Sequence, residues 1–600
     1  MYPLGGTLNI ILLPLLACWL APPAGAADHR NDVVLGVDSK MHMPAYKTLA
    51  AWQARRLELR SQIMAATSLY PPRTRTPLNA RFLGKLDEDG YTIENVAIET
   101  MPGFWLGGNL YRPKDGLSTH PAIAHPHGHW KRGRLEDSKE CSTPRLGGNL
   151  ARLGFVVFAY DMVGYNDTRQ LPHDFGSERE QLWGFNPLTV QTWDSIRVVD
   201  FLASLPDVDK DRIGVTGASG GGTQTFLLSA VDDRIQAAVP VNMVSFLMQG
   251  GCVCENAPGL RVATNNVEIA SLFAPKPLLL VSATGDWTRN VPREEFPAVQ
   301  SVYELFNRKQ NVEVVQIDAE HNYNRQSREA MYAFFNKVFF HRTGAVAETD
   351  VKIEPDEKML AWAGRALPAE AKNREAILAW WQADARRAVR AASQPQLREW
   401  LTRTLAVEWP AKVLDATNAK DEAAMGATGE GATGTLSRPG QGDRVPFRFF
   451  DGQGAPALYV DPNGMDSALK SEQVQGWLKA KRPVLLIDAF QTGSAREPRD
   501  RTVGQFLSYN VSDDAARVQD VLTGLRWLTA RKRGAVELDA AGSARWWALF
   551  AAALSRAPVR YGVRPDEFKL SDEALVQTFY VPHLQLVGGA ESPLRLLNQR

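Results

Sequence analysis

Three side chains, Ser219, Asp286 and His321, occur in an order and in settings that suit nucleophilic attack on a carbonyl carbon. Ser219 lies in Gly217-Ala-Ser219-Gly-Gly221, after Asp211-Arg-Ile-Gly-Val215, which reads as a short buried strand. Thr225-Phe-Leu-Leu-Ser-Ala230, which follows, reads as an apolar helix. A Gly-x-Ser-x-Gly turn between strand and helix lifts the hydroxyl above the sheet edge, because glycine accepts backbone angles that other residues resist. The same turn places the Gly220 N–H at a helix N-terminus, where it can stabilise a developing oxyanion. Asp286 and His321 each stand just past an apolar run. Pro277-Leu-Leu-Leu-Val281 leads to Gly285-Asp286, and Val312–Ile317 leads to Ala319-Glu-His321. In such a trio the histidine takes the serine proton and returns it to the leaving group, while the aspartate fixes the tautomer of the histidine. The short serine pattern recurs in ordinary turns, but the order Ser, Asp, His with each residue at a strand end makes it specific.

Further candidates lie around this trio. Pro121-Ala-Ile-Ala124 runs into His125-Pro-His127-Gly128-His129-Trp130. A strand ending in His-Gly is suited to supply the second oxyanion donor, here the N–H of His129. Alternate histidines on an extended chain also share a face and form a rival metal site. Strand order and the serine turn account for the motif without a metal, so no metal and no cofactor is expected. The apolar strand Phe155–Ala159 suits a parallel sheet covered on both faces and ends near Asp161, read as a turn-fixing carboxylate. Trp183, in an aromatic loop, and Glu255, in the long loop 242–266, are candidate substrate contacts. The alternatives are core packing for Trp183 and an ion pair with a nearby arginine for Glu255.

Composition bounds the rest. Six hundred residues with a formal net charge of +1 imply two large domains and give no electrostatic case for nucleic acid or an acidic membrane surface. Residues 1–26 read as a signal peptide, with an apolar run from Leu8 to Leu20 and cleavage after Ala26. The protein is therefore expected to be exported, periplasmic or extracellular, with lipidation at Cys18 as the alternative. No later stretch is long and apolar enough to span a membrane. Export leaves Cys141, Cys252 and Cys254. Cys141 is expected to pair with one of the other two, because a Cys252–Cys254 bridge is strained. A metal held by Cys252-Val-Cys254 with a distant cysteine is the minor alternative, since no histidine is close in sequence.

From about Tyr91 to Phe340 the chain resembles secreted bacterial α/β-hydrolases of the acetylxylan-esterase and dienelactone-hydrolase type. The resemblance rests on His125-Pro-His-Gly-His129, Gly217-Ala-Ser-Gly-Gly221, Gly285-Asp286 and His321. It implies cofactor-free hydrolysis of carboxylic esters, often acetyl esters of plant polysaccharide. Prolyl-oligopeptidase-like peptidases share the triad order, but this chain lacks their N-terminal propeller repeats.

The second half echoes the first. Pro456-Ala-Leu-Tyr-Val-Asp461 parallels Pro121–His125, Leu478–Asp488 parallels the strand reaching Tyr160, and Asp520–Leu528 parallels Asp194–Leu202. At the place of the serine turn stand Gly542-Ser543-Ala544-Arg545, without the glycine that must follow the nucleophile. Phe579-Tyr-Val-Pro582 reads as the counterpart of the strand before Asn242. The expected architecture is a tandem α/β-hydrolase fold with an incomplete second copy: a catalytic domain over 41–345 with a helical lead-in, a helical and flexible linker region over 346–442, and a degenerate domain over 443–600. The second copy is expected to contribute no catalytic group. A non-catalytic binding protein built from two retired hydrolase domains is the alternative from another functional class. The sequence leaves the oligomeric state open.

Overall fold

The computed structural model describes residues 27–417 and 431–598, so the expected signal peptide lies outside the described residues. The chain forms two compact units, each built from three stretches. The first comprises Val34–Val407, Arg499–Val518 and Val563–Arg600, and the second the chain before Val34, Glu408–Pro498 and Gln519–Gly562. These divisions differ from the boundaries read from the sequence, because two segments past residue 443 belong to the first unit.

The first unit is organised by a nine-stranded sheet: β1 (Arg81–Glu88), β2 (Tyr91–Met101), β3 (Phe104–Pro113), β4 (His120–Pro126), β5 (Val156–Tyr160), β6 (Val208–Ala218), β7 (Ile235–Val241), β8 (Leu278–Ala283) and β9 (Val312–Ile317). Their order is β1-β2-β3-β5-β4-β6-β7-β8-β9. The β1–β2, β2–β3 and β3–β5 pairs are antiparallel, and all later pairs are parallel. β4 and β5 are buried along their whole length, as their unbroken apolar sequences require. Alternate side chains serve opposite layers. Ile123, Val157 and Val239 share a core with Leu146 and Leu150 of helix Thr143–Arg152 and with Phe335 and Phe339 of helix Arg325–Phe340. Phe158 meets Phe201 of helix Pro187–Ser204 at 5.0 Å between ring centroids. That helix starts cleanly because Asn186 caps it and Pro187 opens it.

The second unit holds a seven-stranded sheet: β10 (Leu414–Thr417), β11 (Ala432–Ser437), β12 (Val445–Phe450), β13 (Ala457–Val460), β14 (Val484–Ile487), β15 (Val536–Ala540) and β16 (Val559–Tyr561). The order β10-β11-β12-β14-β13-β15-β16 repeats that of β1 to β7, strand for strand, with the same antiparallel β12–β14 junction. Two sequence expectations are corrected here. The stretch expected to be flexible up to Gly442 contains β11. The strand after the degenerate turn is β16, not Phe579–Pro582. In that later segment the N–H of Tyr580 bonds to Asp514 Oδ2 at 2.8 Å and the N–H of His583 to Gln181 O at 2.7 Å, so no ladder forms.

At the tip of β6 the backbone is packed beyond what a side chain allows. A Cβ on Gly221 would lie 2.3 Å from Pro126 O, and one on Gly217 would lie 2.4 Å from the same oxygen. Gly221→Ala is therefore expected to destabilise the fold by roughly 1–3 kcal/mol or more, through overpacking against backbone that cannot retreat. A lowered urea midpoint at unchanged m-value checks this.

His125, at the end of β4, is fully buried and donates from Nδ1 to Thr216 O at 2.8 Å. Burial holds its pKa down at about 4, against an ordinary 6.5. A base with a depressed folded-state pKa supports the fold above its unfolded value and withdraws that support as pH falls. The loss runs from 6.5 down through about 4 and amounts to at most about 3 kcal/mol. His125→Asn is expected to flatten this acid limb, read as unfolding midpoint against pH.

Candidate active site

Ser219 joins β6 to helix Gly220–Val231 with φ 58° and ψ −124°. That conformation costs a non-glycine residue of order 1–3 kcal/mol and persists only where the surroundings enforce it. Its N–H is tied to Val241 O at 3.1 Å and its carbonyl accepts from the Thr223 N–H at 3.0 Å, so the turn is held from both sides. The next residue, Gly220, opens the helix, and its N–H lacks an intrahelical acceptor. A Cβ on Gly220 would lie 2.7 Å from His129 Cε1, so the His129 imidazole covers the helix start. Gly128 is equally confined: its Cβ would meet Ser219 Cβ at 3.1 Å and Trp130 Nε1 at 3.1 Å. The His127–Trp130 backbone thus runs directly beside Ser219.

His321 and Asp286 meet just beyond β9 and β8. His321 Nδ1 is 2.9 Å from Asp286 Oδ2, while Asp286 Oδ1 accepts from the Thr288 N–H at 2.6 Å and its hydroxyl at 2.5 Å. The carboxylate is buried and aimed, and the imidazole keeps 26 % side-chain exposure. Two indoles flank that ring: Trp287 at 4.4 Å and Trp130, stacked, at 6.0 Å between centroids. Neither indole was singled out from the sequence, although each directly follows a candidate residue, Asp286 or His129.

The other predicted residues take varied places. His127 donates from Nδ1 to Gly128 O and accepts the Met162 N–H at Nε2 (2.7 and 3.0 Å), and burial pushes its pKa down to about 3. His127 has both ring nitrogens engaged by backbone, and His125 lies between Thr216 O and Thr143 Oγ1 (3.4 Å), so the rival reading of a shared His125-His127-His129 metal face is not supported. Asp161 fixes its turn as expected, accepting from the Asp167 N–H, Asn166 Nδ2 and Arg134; burial raises its pKa to about 7. Trp183 is buried, its indole N–H bonded to Asp572 at 2.7 Å and its carbonyl to Trp381 at 2.8 Å, so packing occupies it. Glu255 is buried too. Its Oε2 accepts the Cys252 N–H at 3.0 Å and its Oε1 lies 3.9 Å from His129 Nδ1, while Arg261 bonds its backbone carbonyl at 3.0 Å.

The cysteine expectation is corrected. Cys141, Cys252 and Cys254 are all unbridged, and Cys141 packs in the core beside Leu146 and Leu150. Cys252 and Cys254 meet His173 and His129, residues 79 and 125 positions away, which no local pattern could reveal. Hydrogen bonds with Cys254 and with the two imidazoles hold the Cys252 thiol far below its ordinary range, while burial and the adjacent sulfur push Cys254 up.

Among known proteins, the acetyl xylan esterase (AXE1) family matches residues 189–252, the stretch from helix Pro187–Ser204 through the serine turn to Cys252. The putative hydrolase YtaP of Bacillus subtilis is 27% identical over 253 residues, 40% of this chain and 83% of that protein. The structure of methylesterase BT1017 is 31% identical with a TM-score of 0.50, covering 58% of this chain and 78% of that one. No helix among the described residues is long and apolar enough to cross a membrane. With that identity and span added to the strand order, the chain belongs to the same α/β-hydrolase esterase family as methylesterase BT1017 and is a carboxylic ester hydrolase.

Proposed function

We propose that the protein is an exported serine esterase acting on an ester-bearing carbohydrate, with Ser219 as nucleophile, His321 as general base and acid, and Asp286 as the group that orients His321. The observation that carries this reading is the strained Ser219 at the tip of β6 together with the 2.9 Å His321–Asp286 pair past the ends of β9 and β8 in the same sheet. His321 draws the proton from the Ser219 hydroxyl as Oγ adds to the ester carbonyl. The oxyanion is met by the N–H groups of Gly220 and His129, and collapse expels the alcohol with the proton returned by His321. Water, deprotonated by the same imidazole, releases the acid from the acyl-enzyme. Trp130 and Trp287, both close to the His321 ring, limit its freedom and furnish apolar walls suited to stacking a sugar.

The AXE1 match supports acetyl esters of a polysaccharide as the substrate. Methyl esters of sugar acids are the second reading, favoured by the likeness to a methylesterase over more than half of the chain. We infer further that residues 1–26 direct export and that the second unit is a degenerate hydrolase copy, which the repeated strand order supports. There the left-handed position at the end of β15 falls on Gly542 (φ 47°), while Ser543 is ordinary right-handed helix, so no hydroxyl is raised.

Ser219→Ala is expected to lower kcat by at least about 10⁴-fold and to abolish fluorophosphonate labelling, with the fold intact. Undiminished turnover in the purified variant overturns the assignment. Acetate release from acetylated xylan against methanol release from a methyl-esterified uronan decides between the two substrates. Cleavage of peptides with neither ester hydrolysed would favour the peptidase.

A further inference from the structure

Two thiols and two imidazoles converge beside the serine turn from three separate stretches of chain. His129 Nε2 lies 2.8 Å from Cys254 Sγ, and Cys252 Sγ lies 3.4 Å from His173 Nε2. One donor atom from each of the four residues falls within 4.8 Å of all the others. A tetrahedral Zn²⁺, with sulfur at about 2.3 Å and nitrogen at about 2.0–2.1 Å, spaces its donors by roughly 3.3–3.8 Å, so the cluster has the dimensions of such a site.

The surroundings match a metal site as well. His173 donates from Nδ1 to Val163 O at 2.6 Å, which leaves Nε2 as the nitrogen with a free lone pair. Ligating imidazoles are commonly oriented by a carbonyl or carboxylate in this way. Glu255, 3.9 Å from His129 Nδ1, stands where a carboxylate would orient the second imidazole. The Cys-x-Cys loop is shaped by bonds that need no metal: Cys252 N–H to Glu255, and Asn256 Nδ2 to both Gly250 O and Cys252 O at 2.8 Å. Cys254 is fully buried, and Cys252 and His173 are half-buried. Two sulfurs and two nitrogens discriminate against Mg²⁺ and Ca²⁺, which take oxygen ligands. Four protein donors complete a tetrahedron without leaving a position for water, the pattern of a structural rather than a catalytic zinc.

We propose that His129, His173, Cys252 and Cys254 bind one Zn²⁺, both thiols giving up their protons to solvent, and that the ion fastens the segment carrying the second oxyanion donor. The ring of His129 covers Gly220, and the peptide before it abuts Ser219. Anchoring that ring to Cys252, Cys254 and His173 holds both donor peptides in register with the nucleophile. The ion acts on structure and touches no substrate.

The test uses the full chain, purified without chelator after growth with zinc. Elemental analysis is expected to give about one zinc per chain, and replacement by Co²⁺ to give the thiolate-to-cobalt charge-transfer band of a sulfur-ligated tetrahedral site. Cys254→Ser should weaken metal binding by more than about tenfold and diminish that band. His173→Ala, at a half-exposed position, should do the same while keeping the far-ultraviolet circular dichroism of the parent. Fluorophosphonate labelling of Ser219 follows the hydrolase separately, so loss of metal and loss of nucleophile are distinguishable. The proposal is overturned by a reduced chain that takes up no zinc or cobalt, by equal metal content in parent and variants, or by a Cys252–Cys254 disulfide in the isolated protein.

Discussion

The structure depends on one constraint, the absence of side chains where β6 turns into its helix. Gly217 and Gly221 both press against Pro126 O, and Gly222 lies against Val241 O and Met243 Cβ, each closer than any Cβ permits. Close approach from two sides forces the residue between them into a left-handed conformation, and that residue is Ser219. Strain at Ser219 is therefore a result of packing around it. It is offset by the hydrogen bonds and the parallel strands that hold the end of β4 against the end of β6.

The same closeness explains the three histidines of the β4 end. His125 still belongs to the strand and His127 to its first turn, so both rings point into packed backbone and are held neutral by burial. The chain leaves the sheet at Gly128, and only His129 carries its ring out to the helix start and to the sulfurs. Alternation along an extended chain would have put all three on one face. The sheet ends too soon for that rule to apply.

How far the sequence could be read follows from the range of the interactions. The placement of residues 219, 286 and 321 just past strand ends was legible because each follows an apolar run, and runs, turns and their order are local signals. The repeated strand order was legible for the same reason. The Cys–His cluster was not, since its members are brought together only by the crossing of distant loops. Trp183 and Glu255 carried the right chemical character for a cleft, but their partners, Asp572 for one and the Cys252 backbone for the other, could not be anticipated from composition. The segment at Phe579–Pro582 looks like a strand by its residues; side-chain acceptors at Asp514 and a lone carbonyl at Gln181 take the N–H groups a ladder would need.

The chain passes between its two units five times, and this bears on how the molecule is made. The first unit encloses the candidate site, yet the N–H groups of Gly259 and Arg261 donate to the carbonyls of Leu507 and Ser508, and Trp183 and Gln181 find partners at Asp572 and Tyr580. A polypeptide emerging from its N-terminus therefore contains Ser219, Asp286 and His321 well before the segments 499–518 and 563–600 that complete their unit. Domain-wise folding during synthesis is the common route for large chains. Here the first unit includes Val563–Arg600, so its native contacts are complete only when that segment is present. The loops of the first unit that pack on residues 499–518 and 563–600 therefore gain their native partners only after segments of the second unit have been made.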